Sequence, residues 1–359
     1  MAFENNSYDL LKNLTELQAT SGNEDQVREY LGEHIKNYVD DLRYDGLGGI
    51  FGVKKNKDAE APKVMVAAHM DEVGFMVKSI DANGFINVIA LGGWNMQVVS
   101  AQRFTLQTEK GDYPIVSASI PPHLLRGGGG SKELTIDSLK FDAGFRSREE
   151  AESYGVKPGD TIVPEAETVK LANGERMLAK AIDNRYGVAV VIEALEALKE
   201  ESLPYTLIAG ANVQEEVGLR GTKGAVNKFK PDVFIAIDAS PADDLNGNKE
   251  AQGRLGDGFL LRVQDPGWMA PKEWRKFMEE IAEKHDIPFQ YYFSKGGTDA
   301  TAAHTLNEGI PTLVVGVPSR YAHTHQSILD ASDYNAARDV TIALLKELTP
   351  ESIQKLKFQ

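Results

Sequence analysis

The chain of 359 residues contains no cysteine. This absence excludes disulfide bonds, zinc sites built from thiolates, and cysteine nucleophiles. A metal ion bound by this protein must therefore use the nitrogen and oxygen atoms of histidine and carboxylate side chains.

Basic residues and long apolar runs are also scarce. The chain has 53 acidic and 39 basic residues, which gives a formal net charge of −14. Such a charge repels nucleic acid and anionic lipid, so we expect neither as a partner. No run reaches the roughly 18 apolar residues of a membrane span, and the N-terminus lacks a basic segment followed by an apolar one. We therefore expect a cytoplasmic protein.

The apolar pattern predicts an α/β fold, a mixed sheet covered by helices. Strand-length apolar runs occupy residues 64–68, 205–213, 233–237 and 312–317. Apolar residues at helical spacing lie between them in residues 188–198 and follow them in residues 337–348. Alternating strands and helices are typical of a sheet with helices on its faces, and 359 residues suggest two domains.

The pattern changes in residues 75–168, where short β-rich segments are separated by turns. This predicts a small, β-barrel-like domain inserted into a catalytic domain formed by residues 1–74 and 169–359. The glycine-rich stretch 126–131 inside the insertion predicts a mobile loop.

Histidine and carboxylate residues recur at or near the ends of the apolar runs. They are His69 and Asp71, Asp183, the pair Glu215 and Glu216, Asp238, and His323. Two Zn²⁺-like ions about 3.5–4 Å apart need such a mixture of imidazoles, terminal carboxylates and one bridging carboxylate. The set therefore predicts a two-metal hydrolytic site.

Glu215 and Glu216 illustrate a choice between two interpretations. Adjacent carboxylates at a strand end point in different directions, so one can bind a metal while the other moves protons. An isolated Glu-Glu pair is more often a solvated surface feature. The apolar run 207–213 before the pair and Gly218 after it favour a buried strand end.

Five motifs, spread in order along nearly the whole chain, resemble those of the M42 family of metallo-aminopeptidases, and among these the bacterial glutamyl aminopeptidases of the PepA type. The motifs span residues 69–75, 183–185, 215–221, 296–300 and 320–323. The resemblance implies an α/β catalytic domain, an inserted β-domain that mediates dimerisation, and a homo-oligomer in the form of a tetrahedral dodecamer.

The resemblance also implies a role for each ligand. Asp183 matches the carboxylate that bridges two divalent metal ions, and Asp238 shares one metal with His69. Glu216 and His323 match the ligands of the second metal. Zn²⁺ or Co²⁺ is expected, and Mn²⁺ also suits these ligands. His304 and His325 lie close to the motifs but not at the position of a ligand.

Two further carboxylates receive catalytic roles. Glu215 matches the general base that takes a proton from a metal-bridging water. Asp71 is expected to accept a hydrogen bond from the second ring nitrogen of His69 and so to orient the ring.

The implied function is a metal-dependent aminopeptidase that releases N-terminal Glu or Asp from peptides. Because the chain is acidic, an acidic side chain needs a local cation, for which Arg262 is the first candidate and Lys295 the second. Arg262 could instead lie on an exposed strand face. Gly297 and Thr298 could present backbone N–H groups to the substrate or form a simple turn.

Two other functions stay open. The first is a related di-metal carboxypeptidase or deacylase of the M20 type, whose His-x-Asp-x-x-Pro motif is not matched because residue 74 is glycine. The second is a non-catalytic assembly protein, against which the complete ligand set and Glu215 argue.

Overall fold

The computed structural model describes residues 2–125, 134–245, 247 and 250–357. The glycine-rich stretch 126–131, predicted as a mobile loop, lies outside the described residues.

The α-helices are numbered in chain order. They are α1 (Asn5–Glu16), α2 (Asp25–Ile35), α3 (Pro122–Leu125), α4 (Arg148–Ser153), α5 (Ile182–Ala197), α6 (Arg220–Phe229), α7 (Lys272–Lys284), α8 (Asp299–Ala303), α9 (Ala331–Glu347) and α10 (Pro350–Lys357). Short 3₁₀ turns lie at Met96–Val98 and Ile136–Ser138.

The strands are numbered in the same way. They are β1 (Asp41–Tyr44), β2 (Ile50–Lys54), β3 (Lys63–His69), β4 (Gly74–Ile80), β5 (Ile86–Leu91), β6 (Arg103–Thr108), β7 (Gly111–Ser117), β8 (Phe141–Asp142), β9 (Thr161–Pro164), β10 (Val169–Lys170), β11 (Arg176–Ala179), β12 (Thr206–Asn212), β13 (Val233–Pro241), β14 (Phe259–Asp265), β15 (Trp268–Met269), β16 (Phe289–Phe293), β17 (Thr312–Ser319) and β18 (Ser327–Asp330).

The main sheet of the described chain has nine strands in the order β1-β2-β12-β3-β13-β17-β14-β15, and β16 pairs with β14. The four central strands, β12, β3, β13 and β17, are parallel to one another, whereas β1 and β2 run antiparallel to their neighbours. The predicted mixed α/β sheet is confirmed. The carboxyl ends of its central strands meet at one edge, where ligands of open α/β sheets usually bind.

Helices cover both faces of this sheet because the central strands are apolar on both sides. Val64 and Val66 of β3 pack into the core formed with α1, α2, α5, α7 and α9. Met65 and Ala67 point to the opposite face and pack with α6 and α8. A strand that alternates between two buried faces reads as a continuous apolar run, which explains why residues 64–68 could be predicted as a buried strand.

Between β3 and α5, strands β4 to β9 close into a six-stranded barrel in the order β4-β5-β8-β7-β6-β9. Its core contains Phe75, Phe104, Phe141 and Ile162, all of them fully buried. The β-barrel-like insertion is thus confirmed. The domain limits and the role of the barrel in dimerisation remain predictions.

None of the described helices is long and apolar enough to cross a membrane.

Candidate metal centre

The carboxyl ends of the central strands place the predicted ligands around one point. His69 is the last residue of β3, and Asp238 lies in β13. Glu215 and Glu216 follow β12, while His323 lies in the loop between β17 and β18. Asp183 enters the same space from the first turn of α5.

The carboxylate of Asp183 lies between two imidazoles. Its Oδ1 is 3.2 Å from Nε2 of His69, and its Oδ2 is 3.5 Å from Nε2 of His323. One oxygen therefore faces each ring, which is the arrangement that a bridging carboxylate requires.

Further carboxylates lie beside each imidazole. Nε2 of His69 lies 3.6 Å from Oδ1 of Asp238 and 3.9 Å from Oε2 of Glu215. Nε2 of His323 lies 3.4 Å from Oε1 of Glu216. The donor atoms of His69, Asp183 and Glu216 all lie within 4.8 Å of one another, as do those of His69, Glu215 and Asp238.

The other nitrogen of each ring is held by a backbone carbonyl. Nδ1 of His69 lies 3.0 Å from the carbonyl oxygen of Asp71, and Nδ1 of His323 lies 2.7 Å from that of Gly93. A carbonyl oxygen can only accept, so Nδ1 carries the proton and the lone pair of each Nε2 points at carboxylates. Lone pairs that face anions need a proton or a cation between them.

Burial increases this need for positive charge. Burial raises the pKa of Glu216 to about 8 and raises the pKa values of Glu215 and Asp238. Burial alone would lower the pKa of His323, but the carboxylates of Asp183 and Glu216 raise it to about 9. Oε1 of Glu216 is buried and has no hydrogen-bond partner among the described residues. Two imidazoles and three carboxylates arranged in this way fit a pair of divalent cations.

Asp71 holds the two glutamates in place. Its carboxylate accepts hydrogen bonds from the backbone N–H groups of Glu215 at 3.0 Å and Glu216 at 3.1 Å, and from Oγ of Ser21 at 2.6 Å. Nδ1 of His69 lies 3.5 Å from Oδ1 of Asp71 but 3.0 Å from the backbone carbonyl oxygen of Asp71. The sequence interpretation expected the carboxylate to orient the ring, whereas the carbonyl is the nearer acceptor.

A cavity of about 940 Å³ opens beside these ligands and is lined by Glu215, Arg262, Lys295 and Gly297, among others. Thr298 is fully buried, and its hydroxyl accepts a hydrogen bond from the N–H of Ala300 at the start of α8. Three of the four predicted substrate-binding residues therefore line the cavity, while Thr298 caps a helix.

Arg262 is a buried cation on the cavity wall, with 3% of its surface exposed. Its guanidinium donates to Oγ of Ser240 at 2.6 Å and to the carbonyl of Gly296 at 3.2 Å. Asp265 lies 3.7 Å from it, and the ring of Tyr292 lies beneath it. These two hydrogen bonds use two of the five N–H donors of the guanidinium, which lies in the cavity wall. This burial is inconsistent with the alternative of an exposed strand face.

Two buried features near the centre were not predicted. Glu72 is paired with Lys180 and Arg185, and all three side chains are buried. Glu24 accepts hydrogen bonds from the N–H groups of Gly22 and Gln214, and burial, together with Asp71, raises its pKa to about 7. Glu72 and Arg185 stand inside the recognised motifs, but nothing in the pattern around Lys180 or Glu24 marks them as buried.

Comparison with known proteins places this geometry in context. Residues 48–340 match the family model described as M42 glutamyl aminopeptidase. The chain is 47% identical to the glutamyl aminopeptidase of Lactococcus lactis subsp. cremoris over 352 residues, which cover 98% of this chain and 99% of the relative.

Solved structures give the same result. A TET aminopeptidase from the marine sediment archaeon Thaumarchaeota archaeon SCGC AB-539-E09 superposes with a TM-score of 0.93 at 35% identity, covering 98% of this chain and 100% of that one. The TET1 peptidase of Pyrococcus horikoshii, which can assemble into a tetrahedron or a large octahedral shell, gives a TM-score of 0.85 at 29% identity, covering 95% and 100%.

Proposed function

The chain belongs to the M42 glutamyl aminopeptidase family, and from this premise we propose how its residues remove an N-terminal acidic residue from a peptide. It is a metal-dependent aminopeptidase and therefore a hydrolase. The observation that supports the proposed mechanism best is the carboxylate of Asp183 between two imidazoles at the wall of a cavity that Glu215 also lines.

In this proposal His69 and Asp238 would hold one divalent cation, Glu216 and His323 would hold the second, and Asp183 would contribute to both sites. When bound, such a pair of cations would lower the pKa of a water molecule and polarise the scissile carbonyl. The ligands suit Zn²⁺ or Co²⁺, and Mn²⁺ is also compatible with them.

Glu215 serves as the general base. Its carboxylate lines the cavity next to the ligands, so it can accept a proton from the attacking water and pass it to the leaving amine. Burial raises the pKa of Glu215, so its carboxylate form is a stronger proton acceptor than a solvated glutamate. Asp71 acts through the backbone of Glu215 and Glu216 by fixing their position.

The specificity for Glu or Asp rests on Arg262. The cavity wall also carries the carboxylates of the metal centre, so an acidic side chain needs a cation to be accepted there. The guanidinium is held in place by Ser240 and Gly296, and a planar fork fixed in this way can bind a carboxylate through two hydrogen bonds. The glutamyl aminopeptidase of L. lactis, 47% identical, supports the same preference.

The test is kcat/KM on the p-nitroanilides of Glu, Asp, Leu and Lys. The wild type should prefer the acidic pair, and Arg262→Ala should lose about ten- to a hundredfold on it, the size of one charge-assisted hydrogen bond. Activity on Leu-p-nitroanilide and the metal content should change little. Lys295→Ala tests the second candidate, because Lys295 lines the same cavity and is exposed.

If Arg262→Ala keeps the wild-type preference for Glu and Lys295→Ala loses it, the specificity belongs to Lys295. Blocking the α-amino group with an acetyl group should abolish turnover. Cleavage of the acetylated substrate alone would favour a deacylase instead.

We further propose that the protein is a cytoplasmic homo-oligomer, with a tetrahedral dodecamer as the expected form. The tetrahedral assembly of the P. horikoshii TET1 peptidase supports this proposal. The barrel would mediate contacts between subunits.

A further inference from the structure

The loop that carries His323 is tied to the barrel at two points. Nδ1 of His323 lies 2.7 Å from the carbonyl oxygen of Gly93, in the connection between β5 and β6. Two residues farther along the loop, Nε2 of His325 lies 2.8 Å from the carbonyl oxygen of Arg103, at the start of β6. Both acceptors belong to the barrel, although the loop belongs to the catalytic domain.

His325 is built into the barrel wall. Only 3% of its surface is exposed, and its ring packs edge-on against Phe104, with 4.5 Å between the ring centroids. Trp94 lies on the same wall, stacked on Phe75 and donating to the carbonyl of Gly74. Because the carbonyl of Arg103 can only accept, Nε2 of His325 carries a proton and donates it.

The two histidines of the metal centre differ in how the surrounding structure holds their backbones. His69 ends β3, which pairs along its whole length with β12 and over residues 64–67 with β13 inside the main sheet. His323 lies in a loop and has φ +58°, in the left-handed region that costs energy for a residue with a side chain. A conformation of this kind persists only where neighbouring contacts enforce it.

We propose that His325 is a positioning residue that clamps the His323 loop onto the barrel and thereby sets the affinity of the second cation site. The proposal rests on the metal centre described under the proposed function. Partners that orient a metal ligand typically change metal affinity by about 10–100-fold when they are removed. The barrel therefore takes part in forming the active site, in addition to any part in association.

The test uses variants that separate the hydrogen bond from the packing. His325→Phe keeps a ring against Phe104 but removes the donor, whereas His325→Gln keeps an N–H group that can reach the carbonyl of Arg103. His304→Phe is the control, since His304 directly follows α8 and its Nδ1 lies 3.1 Å from the carbonyl oxygen of Ala300 in the same turn. His325→Asn, whose shorter amide falls short of that carbonyl, replaces His325→Phe if the latter does not fold.

Each protein is stripped with EDTA and titrated with Co²⁺, followed by cobalt absorption and elemental analysis. We expect His325→Phe to weaken one of the two sites by about 10–100-fold and to leave the other unchanged. His325→Gln and His304→Phe should bind as the wild type does. The site weakened in His325→Phe should be the same site that is lost in His323→Ala. The double variant that combines His323→Ala with His325→Phe should therefore still bind one Co²⁺.

Three results would contradict the proposed role of His325. His325→Phe could bind Co²⁺ at both sites with wild-type affinity, or it could be weakened equally at both sites. The double variant that combines His323→Ala with His325→Phe could lose both cations. A wild-type protein that binds no Co²⁺ contradicts the metal centre itself, whereas normal binding by both the wild type and His325→Phe contradicts only the clamp.

Discussion

Glu215 and Glu216 are neighbours in sequence and differ in surroundings. Oε1 of Glu216 faces the imidazole of His323, while the carboxylate of Glu215 lines the cavity. Asp71 accepts a hydrogen bond from the backbone N–H of each. One anchored strand end can therefore supply both a ligand and a base.

This division of labour predicts the effect of Glu215→Gln. The amide keeps the shape of the side chain but cannot accept a proton, so kcat should fall by about 10²–10⁴-fold. Elemental analysis should still find both cations, because Glu216 and the other ligands are intact. Glu60→Gln, at an exposed position, controls for the exchange of a carboxylate for an amide. More than half of the wild-type kcat with both metals bound would rule out Glu215 as the base.

Side chains of the centre could be predicted from the sequence, but their backbone partners could not. A histidine or carboxylate in a motif is recognisable as a candidate ligand because its side chain contains an atom that can bind a metal. This applies to His69, Asp183, Glu216, Asp238 and His323. The carbonyl of Gly93 carries no such mark, because every residue has one and only the fold decides which carbonyl meets a ring nitrogen. His325 was recognised as a motif neighbour without a role for the same reason.

At the scale of elements, a buried cluster joins the helices to the strand that ends in His69. The guanidinium of Arg185, in α5, donates to the carbonyls of Leu14, Leu17, Ala19 and Met70. Both Arg185 and Lys180 also donate to Glu72, just after β3. One buried carboxylate thus serves two buried cations.

Because one carboxylate pairs with two cations, substitutions of Glu72 and Lys180 should lower the free energy of unfolding by different amounts. Glu72→Gln leaves two buried cations without their carboxylate, a change that typically costs about 3–5 kcal/mol for a broken buried pair. Lys180→Met should cost clearly less, because the pair of Glu72 with Arg185 remains and burial already lowers the pKa of Lys180 to about 8. Urea unfolding of the metal-free proteins measures both free energies. Equal losses, or a larger loss for Lys180→Met, would contradict the shared role of Glu72.

Elements themselves were predictable where burial leaves a pattern. The run 64–68 corresponds to β3, Lys63–His69, and the run 233–237 to the first part of β13, Val233–Pro241. The order of strands in the sheet could not be predicted from the apolar pattern, because strand pairing depends on contacts between segments that are distant in sequence. The start of α5 was equally hidden, since Asp183 and Asn184 lie within it with non-helical backbone angles.

At the scale of the whole molecule, the barrel exposes apolar side chains on a chain with net charge −14. Ile120 is 65% exposed and Leu124 is 75% exposed, and Val116 in β7 is 42% exposed. Exposed apolar side chains are typical of sites of association where they group together. The barrel surface around these residues is thus the natural candidate for a contact between subunits.

If that surface joins subunits, Ile120→Glu combined with Leu124→Glu should reduce the particle mass measured by light scattering, because buried unpaired carboxylates would oppose the contact. The double variant should still bind two cations, since the carbonyls of Gly93 and Arg103 that hold the His323 loop are unchanged. Leu47→Glu, at a position 49% exposed in the turn after β1, is the control. A double variant with the wild-type mass would exclude this surface, and disruption by Leu47→Glu alone would place the contact on the catalytic domain. A double variant with a lower particle mass that still binds both cations would show that the barrel has two separate roles. Association would then depend on the outer surface of the barrel, and metal binding would depend on the barrel carbonyls that face the active site.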